Sequence, residues 1–203
     1  MEEVRELKSV LERVERKLIA AGKLYGALNF AVWLAIMLLY YDILALLDIP
    51  WQFNLVYWPI AFIVAITFTG RVWKRFVEIA KATGREVESS KREGMLIALS
   101  WILGIVIGWG VIPQTSIAVN AEARLAVGFL SFITLSILGM FLVIAKFSGT
   151  EKEMIPAFLI PGIHIPVVWN MENGAMILAG FVVALGFAVT VLLYIHNAFK
   201  AIE

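Results

Sequence analysis

One histidine lies deep within an apolar stretch of this sequence, where an ionisable side chain is costly and is therefore a candidate for function. His164 stands ten residues into the apolar run 154–169, which at the α-helical rise puts it about 15 Å along a helix and near the middle of a bilayer. The run contains three prolines, and each proline removes a backbone donor and crowds a preceding carbonyl. We therefore expect a kinked, broken or re-entrant helix in which His164, Pro161 and Gly162 form a polar site.

Two interpretations of His164 are open from the sequence. The imidazole could carry a substrate or a proton, because short segments interrupted by proline and glycine often mark binding sites in transporters. It could instead bond to a carbonyl freed by Pro161 or Pro166 and so stabilise a bend in the helix. Asp42 is a second candidate, but it follows Leu24 by eighteen residues, about 27 Å of helix, which places it near the outer headgroups. It is either an interfacial residue or part of a vestibule that attracts cations.

Several kinds of chemistry are excluded by what the sequence lacks. It has no cysteine, which rules out disulfides, thiolate nucleophiles and cysteine-ligated zinc or iron–sulfur sites. His164 and His196 differ in predicted depth by about 15 Å and so cannot share a haem or a metal ion. The sequence contains no His-Glu-x-x-His motif, serine-protease signature, P-loop or paired aspartate-rich motif. We expect no cofactor, no metal and no enzymatic activity, with an intramembrane enzyme as the third hypothesis.

The composition is that of a membrane protein, with 61% hydrophobic and 16% charged residues. A net charge of +1 argues against nucleic acid as a partner. Six runs approach the roughly 20 residues that cross a bilayer core: 24–47, 53–70, 95–111, 125–145, 154–169 and 175–195. Pro50 and the sequence at 170–174 predict tight turns. The prediction is an all-α, multi-pass membrane domain over residues 24–199, with six transmembrane helices in three hairpins.

Lysine and arginine are concentrated on one predicted side of the membrane. Residues 1–23 and the segment 71–93 hold most of them, and only Arg124 falls on the opposite side. The basic side also receives Lys146, Lys152 and Lys200. Because basic residues stay in the cytoplasm, we expect a cell-membrane protein with both termini inside. Residues 1–23 lack the pattern of a cleavable signal peptide, so the first apolar run is interpreted as a retained span.

Two glycines one helical turn apart, Gly104 and Gly108, mark a face on which another helix can approach closely. Gly110 and Pro113 follow in the same stretch. We expect these glycines to serve packing rather than chemistry.

Residues 1–23 form a predicted amphipathic cytoplasmic helix. Its apolar stripe alternates spacings of three and four and consists of Val4, Leu7, Leu11, Val14 and Leu18. The stripe could pack on a second copy of the chain, on the other cytoplasmic segment or on the membrane surface. Within it, Leu7, Leu11 and Val14 are candidates for docking a protein partner.

The segment 71–93 places Trp73 and Phe76 among basic residues. Such a pattern suits an interfacial helix on anionic headgroups, an ordinary connector, or a docking element for a soluble subunit. Trp73 and Phe76 are therefore further candidates for partner docking.

The layout of these elements resembles that of the membrane subunits of type-2 ABC exporters. Those subunits also carry an amphipathic N-terminal helix, a cytoplasmic coupling segment after the second span and a broken fifth span. The resemblance is topological and implies a permease subunit working with a separate ATPase. An oligomeric channel or carrier is the other form of the transport hypothesis. The alternative is a non-catalytic membrane scaffold that anchors a soluble partner through its cytoplasmic helices.

Overall fold

The computed structural model describes residues 2–47, 49–50, 52–83 and 91–203, and within these ranges the chain forms helices and connecting turns without a strand. The all-α prediction is confirmed. The main helices are α1 (Glu2–Leu46), α2 (Phe53–Ala82), α3 (Lys91–Ile105), α4 (Ala121–Phe147), α5 (Ile155–Trp169) and α6 (Ala175–Lys200). α3 continues into a π-helical segment, Val106–Val111, and a short 3-10 turn, Ile112–Gln114; a second 3-10 turn, Lys152–Met154, precedes α5.

Five stretches among the described residues are long and apolar enough to cross a membrane, and they lie in every main helix except α5. α5 has 15 residues, which give about 22 Å of helix, less than the roughly 30 Å of a bilayer core.

Two predicted boundaries differ from the helices that form. The amphipathic stretch 1–23 and the first apolar run were expected as separate elements, but from Glu2 to Leu46 they are one continuous helix. α2 likewise runs to Ala82, beyond Gly70, because the residues that follow are good helix formers and a single exposed glycine is a weak interruption. Part of the predicted segment 71–93, residues 84–90, lies outside the described residues.

The chain divides into two compact units, and the first consists of Met1–Glu88 and Val191–Glu203. α1 and α2 pack antiparallel in it. The Tyr57 hydroxyl donates to the Ile36 carbonyl at 2.5 Å. Asn54 Oδ1 accepts from the Tyr40 hydroxyl at 2.6 Å and from Trp58 Nε1 at 3.1 Å. These bonds join the ends of the two helices that flank Pro50.

At the opposite end of this unit, aromatic side chains pack α2 against α1. The Tyr25 ring centroid lies 5.1 Å from that of Trp73 and 6.3 Å from that of Phe76. Gly26 lies against Tyr194 so closely that an added Cβ would be 2.7 Å from the tyrosine ring. A glycine inside α1 is therefore explained by tertiary contact rather than by a turn.

The second unit, Ser89–Thr190, is arranged around α4. A Cβ added to Gly108 would lie 2.5 Å from the Gly128 carbonyl oxygen, and one added to Gly104 would lie 2.9 Å from the Phe132 carbonyl oxygen. On another side of α4, Gly162 of α5 would meet Thr134 at 3.2 Å. The expected packing role of the glycine pair in α3 is thus consistent with direct backbone contact.

One end of the second unit is tied together by polar side chains. Asn120 accepts from the Ala123 amide at 2.8 Å as the N-cap of α4, and its Nδ2 donates to the carbonyls of Met171 and Glu172 at 3.1 and 2.9 Å. Glu122 accepts from the Met176 amide at 3.2 Å in the first turn of α6, where the helix dipole favours an anion. Arg124, the one basic residue on this side, donates to the Thr115 carbonyl at 3.0 Å. The exception to the charge pattern therefore has a structural role.

We predict that Gly108→Ala destabilises the folded protein by about 2 kcal/mol, because the added methyl must push apart two backbones. A fall in Tm of several degrees in detergent would register this loss. Gly110→Ala is the matched control, since an added Cβ there meets nothing within 4 Å. Equal Tm values for the two variants would contradict the assigned contact.

Candidate functional site

His164 lies inside α5, which is a single uninterrupted helix with Pro161 and Pro166 in its interior. The expected break is therefore not observed. His164 Nδ1 lies 2.8 Å from the Ile160 carbonyl oxygen, so in the neutral ring Nδ1 carries the proton and Nε2 keeps its lone pair. The bonded carbonyl differs from the one expected, because Pro161 frees the carbonyl of Ala157 and Pro166 frees that of Gly162.

The position of His164 on α5 directs it toward the bundle. Ala157, Pro161 and Val168 are the buried residues of this helix. His164 is separated from Ala157 by seven residues, from Pro161 by three and from Val168 by four. These helical spacings place it on the same face of α5 as the three buried residues. It is half-buried, whereas its neighbour Ile163 is 59% exposed.

Pro161 and Gly162 face different neighbours. Pro161 faces Gly186 of α6. A Cβ added to Gly186 would lie 3.4 Å from Pro161 Cδ and 2.9 Å from the Pro156 carbonyl oxygen. Gly162 faces Thr134 of α4. The two residues thus allow α5 to pack tightly on both helices, which gives each of them a structural role beside the predicted one.

Asp42 belongs to the first unit and is exposed, whereas the other three candidates of the polar site belong to the second. No geometry relates Asp42 to them. Its exposure near the end of α1 agrees with the interfacial interpretation.

The candidate docking residues fall into two groups. Leu7 and Leu11 are 64% and 60% exposed, and Val14 is half-buried. Trp73 and Phe76 are half-buried and pack their rings on Tyr25. Of these two groups, the leucines of the N-terminal stripe are therefore the more exposed, whereas Leu18 at the end of the stripe is buried.

Four polar residues that were not singled out from the sequence are buried in the second unit, namely Ser131, Ser136, Glu153 and Thr190. Glu153 is 5% exposed and Thr190 is 0% exposed. Glu153 stands immediately before the apolar run of α5, where an interfacial position was the natural expectation, and a threonine in an apolar helix gives no signal in sequence. The Thr190 hydroxyl has no hydrogen-bond partner within the described residues.

The Thr190 hydroxyl differs in its hydrogen bonding from those of Thr69 in α2 and Ser100 in α3. Thr69 donates to the Ala65 carbonyl at 2.8 Å and Ser100 to the Leu96 carbonyl at 3.0 Å, each one turn earlier in its own helix. Thr190 makes no such bond. Thr134 and Ser136 of α4 share this property, so the interior of the unit contains several oxygen atoms whose hydrogen-bonding capacity is unused.

The described residues contain no group of three or more histidine and carboxylate side chains placed to hold a metal ion. The second unit does contain separate polar groups in its interior: the buried carboxylate of Glu153, the unpaired hydroxyl of Thr190, and the His164 imidazole. Such groups can bind or relay a proton or a small polar solute.

Comparisons with protein-family models, with curated proteins and with solved structures gave no match. The likeness to exporter subunits therefore rests on topology alone.

Proposed function

We propose that this chain is a six-span component of a membrane transport system, resident in the cell membrane with both termini in the cytoplasm. The observation that carries the proposal is the half-buried His164, which shares the face of α5 with its buried residues Ala157, Pro161 and Val168, in a unit whose interior also contains buried polar side chains. Polar side chains are expensive in a bilayer and are retained where they serve a path for ions or solutes. The component acts as a permease subunit with a separate ATPase, or as an oligomeric channel or carrier.

The contacts of α5 support counting it as a crossing despite its length. α4 and α5 run antiparallel, since Phe141 packs on Phe158 with centroids 5.4 Å apart and Thr134 lies beside Gly162. At the end of α5, the Trp169 carbonyl accepts from the Val119 amide at 3.3 Å, just before α4 begins. α5 thus carries the chain from the level at which α4 ends back to the level at which α4 begins. A short helix can cross where the protein around it satisfies its flanking turns.

The ends of the second unit support the orientation. α3 and α4 are antiparallel, and Ser148 Oγ donates to Glu93 at 2.9 Å where the end of α4 meets the start of α3. Lys91, Lys146 and Lys152 therefore fall at one end, and the structurally engaged Arg124 at the other. The basic end is the cytoplasmic one.

The topology predicts opposite labelling of two cysteines introduced singly into this cysteine-free chain. An impermeant maleimide applied to intact cells should label Glu172→Cys, in the turn before α6, and should spare Glu203→Cys until the cells are opened. Labelling of Glu203→Cys in intact cells would contradict six spans with cytoplasmic termini.

A hydrated transport path makes a sharper prediction about α5. In membranes, a water-soluble thiosulfonate should modify His164→Cys at least about tenfold faster than Ile163→Cys, because a thiol facing lipid does not ionise. Ile163 is the matched control, adjacent in sequence but on the exposed face. If both cysteines are equally inert, the core is dry and the transport proposal fails.

The second candidate function, a scaffold for a soluble partner, is favoured by the exposed stripe on α1. Val4 is 71% exposed beside Leu7 and Leu11, although α1 continues without a break toward its membrane-crossing part. A rigid helix of 45 residues, about 67 Å long, extends well past a bilayer core. Its first turns can therefore meet a protein but cannot lie flat on lipid.

For this surface we predict that replacing both Leu7 and Leu11 with glutamate abolishes binding of a native partner, or changes the oligomeric mass, while the spans still insert. Affinity purification followed by mass measurement tests this, and a co-purifying ATPase would identify the permease form of the transport proposal. Lys8→Glu with Glu12→Lys is the control, since it reverses an exposed 3.9 Å ion pair on the same helix. Unchanged partners and mass in the leucine variant would remove the docking role.

A further inference from the structure

The exposed face of α2 changes from apolar to basic along the helix. Ile60 and Val64 are 56% and 51% exposed. Arg71 and Arg75 follow Val64 by seven and eleven residues, so they lie on the same face. Lys74 stands beside them, and all three basic residues are exposed. We propose that Arg71, Lys74 and Arg75, here called the basic trio, bind the headgroup of an anionic phospholipid whose acyl chains lie on the apolar part of this face.

The length of α2 places the basic trio at the headgroup level of a membrane. α2 has 30 residues and is long and apolar enough to cross a bilayer. The helix rises about 27 Å from Phe53 to Arg71 and about 33 Å from Phe53 to Arg75. These two distances bracket the roughly 30 Å of a bilayer core. With Phe53 at one boundary of the core, the trio therefore reaches the other boundary, where the lipid phosphates lie.

The packing of α2 on α1 leaves the basic trio outward. The rings of Trp73 and Phe76 have their centroids 5.1 and 6.3 Å from that of Tyr25 in α1. Ala80 lies on the same side of α2 as these two rings and is 0% exposed. At 100° per residue, Arg71 points away from this packed side. The packing fixes the helix that presents the trio, so binding a headgroup orders only its side chains.

The charges around the trio favour an anion. Within the described residues, no hydrogen bond or ion pair engages any of its three side chains. α1, which packs on this part of α2, has no acidic residue from 16 to 41. The one acidic residue of α2 is Glu78, which is exposed one turn beyond the trio. The trio is therefore a group of positive charges that the described protein does not neutralise.

The chemistry of the trio fits a lipid phosphate. A guanidinium can bind a phosphate through two parallel N–H···O bonds, and a lysine adds a point charge. Basic residues next to a membrane-crossing helix attract anionic lipids. The apolar face that continues into the trio favours a lipid over a soluble phosphate, because it offers acyl chains a surface. The proposal goes beyond the transport function and rests on it in one point, that the basic end faces the inner leaflet.

The test uses the full chain, purified in a non-ionic detergent and titrated separately with dioleoylphosphatidylglycerol and dioleoylphosphatidylcholine. These lipids share their acyl chains and differ in the net charge of the headgroup. Native mass spectrometry at low salt measures the Kd of the first lipid bound. The anionic lipid should bind about a hundredfold more tightly, since each basic residue near a headgroup contributes about fivefold. Arg71→Gln should weaken its binding about fivefold, and glutamine at all three positions should reduce it to that of the zwitterionic lipid.

A matched control replaces Arg5, Lys8 and Arg13 with glutamine. It removes the same two arginines and one lysine from an exposed stretch of α1 that lies at least about 18 Å along the helix from Tyr25, and it should bind both lipids as the parent chain does. Glu78→Gln should tighten binding of the anionic lipid about twofold, because it removes a like charge close to the headgroup. A gain of this kind does not arise from misfolding.

Three results would overturn the proposal. The first is equal binding of the two lipids by the parent chain, or an equal loss in the trio variant and the matched control. The second is displacement of the lipid by inorganic phosphate but not by sodium chloride at equal ionic strength, which would assign the trio to a soluble anion. The third is an oligoglutamate peptide whose binding depends on the trio when lipid binding does not, which would make this face a protein-docking surface.

Unchanged binding of the zwitterionic lipid shows that each variant is folded. The readout involves neither transport nor cysteine labelling. Its failure would therefore leave the proposed transport function standing, and that function is tested separately at position 164.

Discussion

Lipid offers no hydrogen-bond partners, and this constraint governs the rest of the structure. The backbone meets it by forming helices over nearly all of the described chain. Polar side chains form hydrogen bonds within the protein. Thr69 and Ser100 donate to carbonyls of their own helices, and the Tyr40 hydroxyl donates to Asn54 on the neighbouring helix. Polar atoms that have neither solution are then conspicuous. In a bundle that satisfies so many groups internally, the hydroxyls of Thr134, Ser136 and Thr190 remain without a hydrogen-bond partner among the described residues.

The same solvent removes the hydrophobic driving force between helices, so association depends on close packing. Glycines supply it. Gly108 and Gly128 bring α3 and α4 into backbone contact, and Gly186 lets α6 reach the proline-rich face of α5. α5 packs on both neighbours and remains continuous despite its two internal prolines.

The helical fold and the long apolar helices could be predicted from the sequence, because hydropathy reports directly on the length of a helix that can cross a membrane. The packing role of Gly104 and Gly108 was predicted from their spacing and agrees with the contacts. The continuity of α1 was not predicted, because the charged stretch 1–23 and the apolar run after it differ in composition and were treated as separate elements. In the candidate site, His164 could be singled out by depth alone. Glu153 and Thr190 could not, since their burial arises from the packing of helices, which a single sequence does not contain.

The central claim is that the polar atoms between α5 and α6 are solvated from within the protein when it lies in a bilayer. Water-edited solid-state NMR on methyl-labelled protein measures this directly, by the transfer of magnetisation from water to individual side chains. The account predicts strong transfer to the methyls of Ala157 and Thr190, and weak transfer to the methyls of Leu130 in α4, which is equally buried. Transfer to Ala157 and Thr190 as weak as that to Leu130 would show a dry interface and contradict the claim.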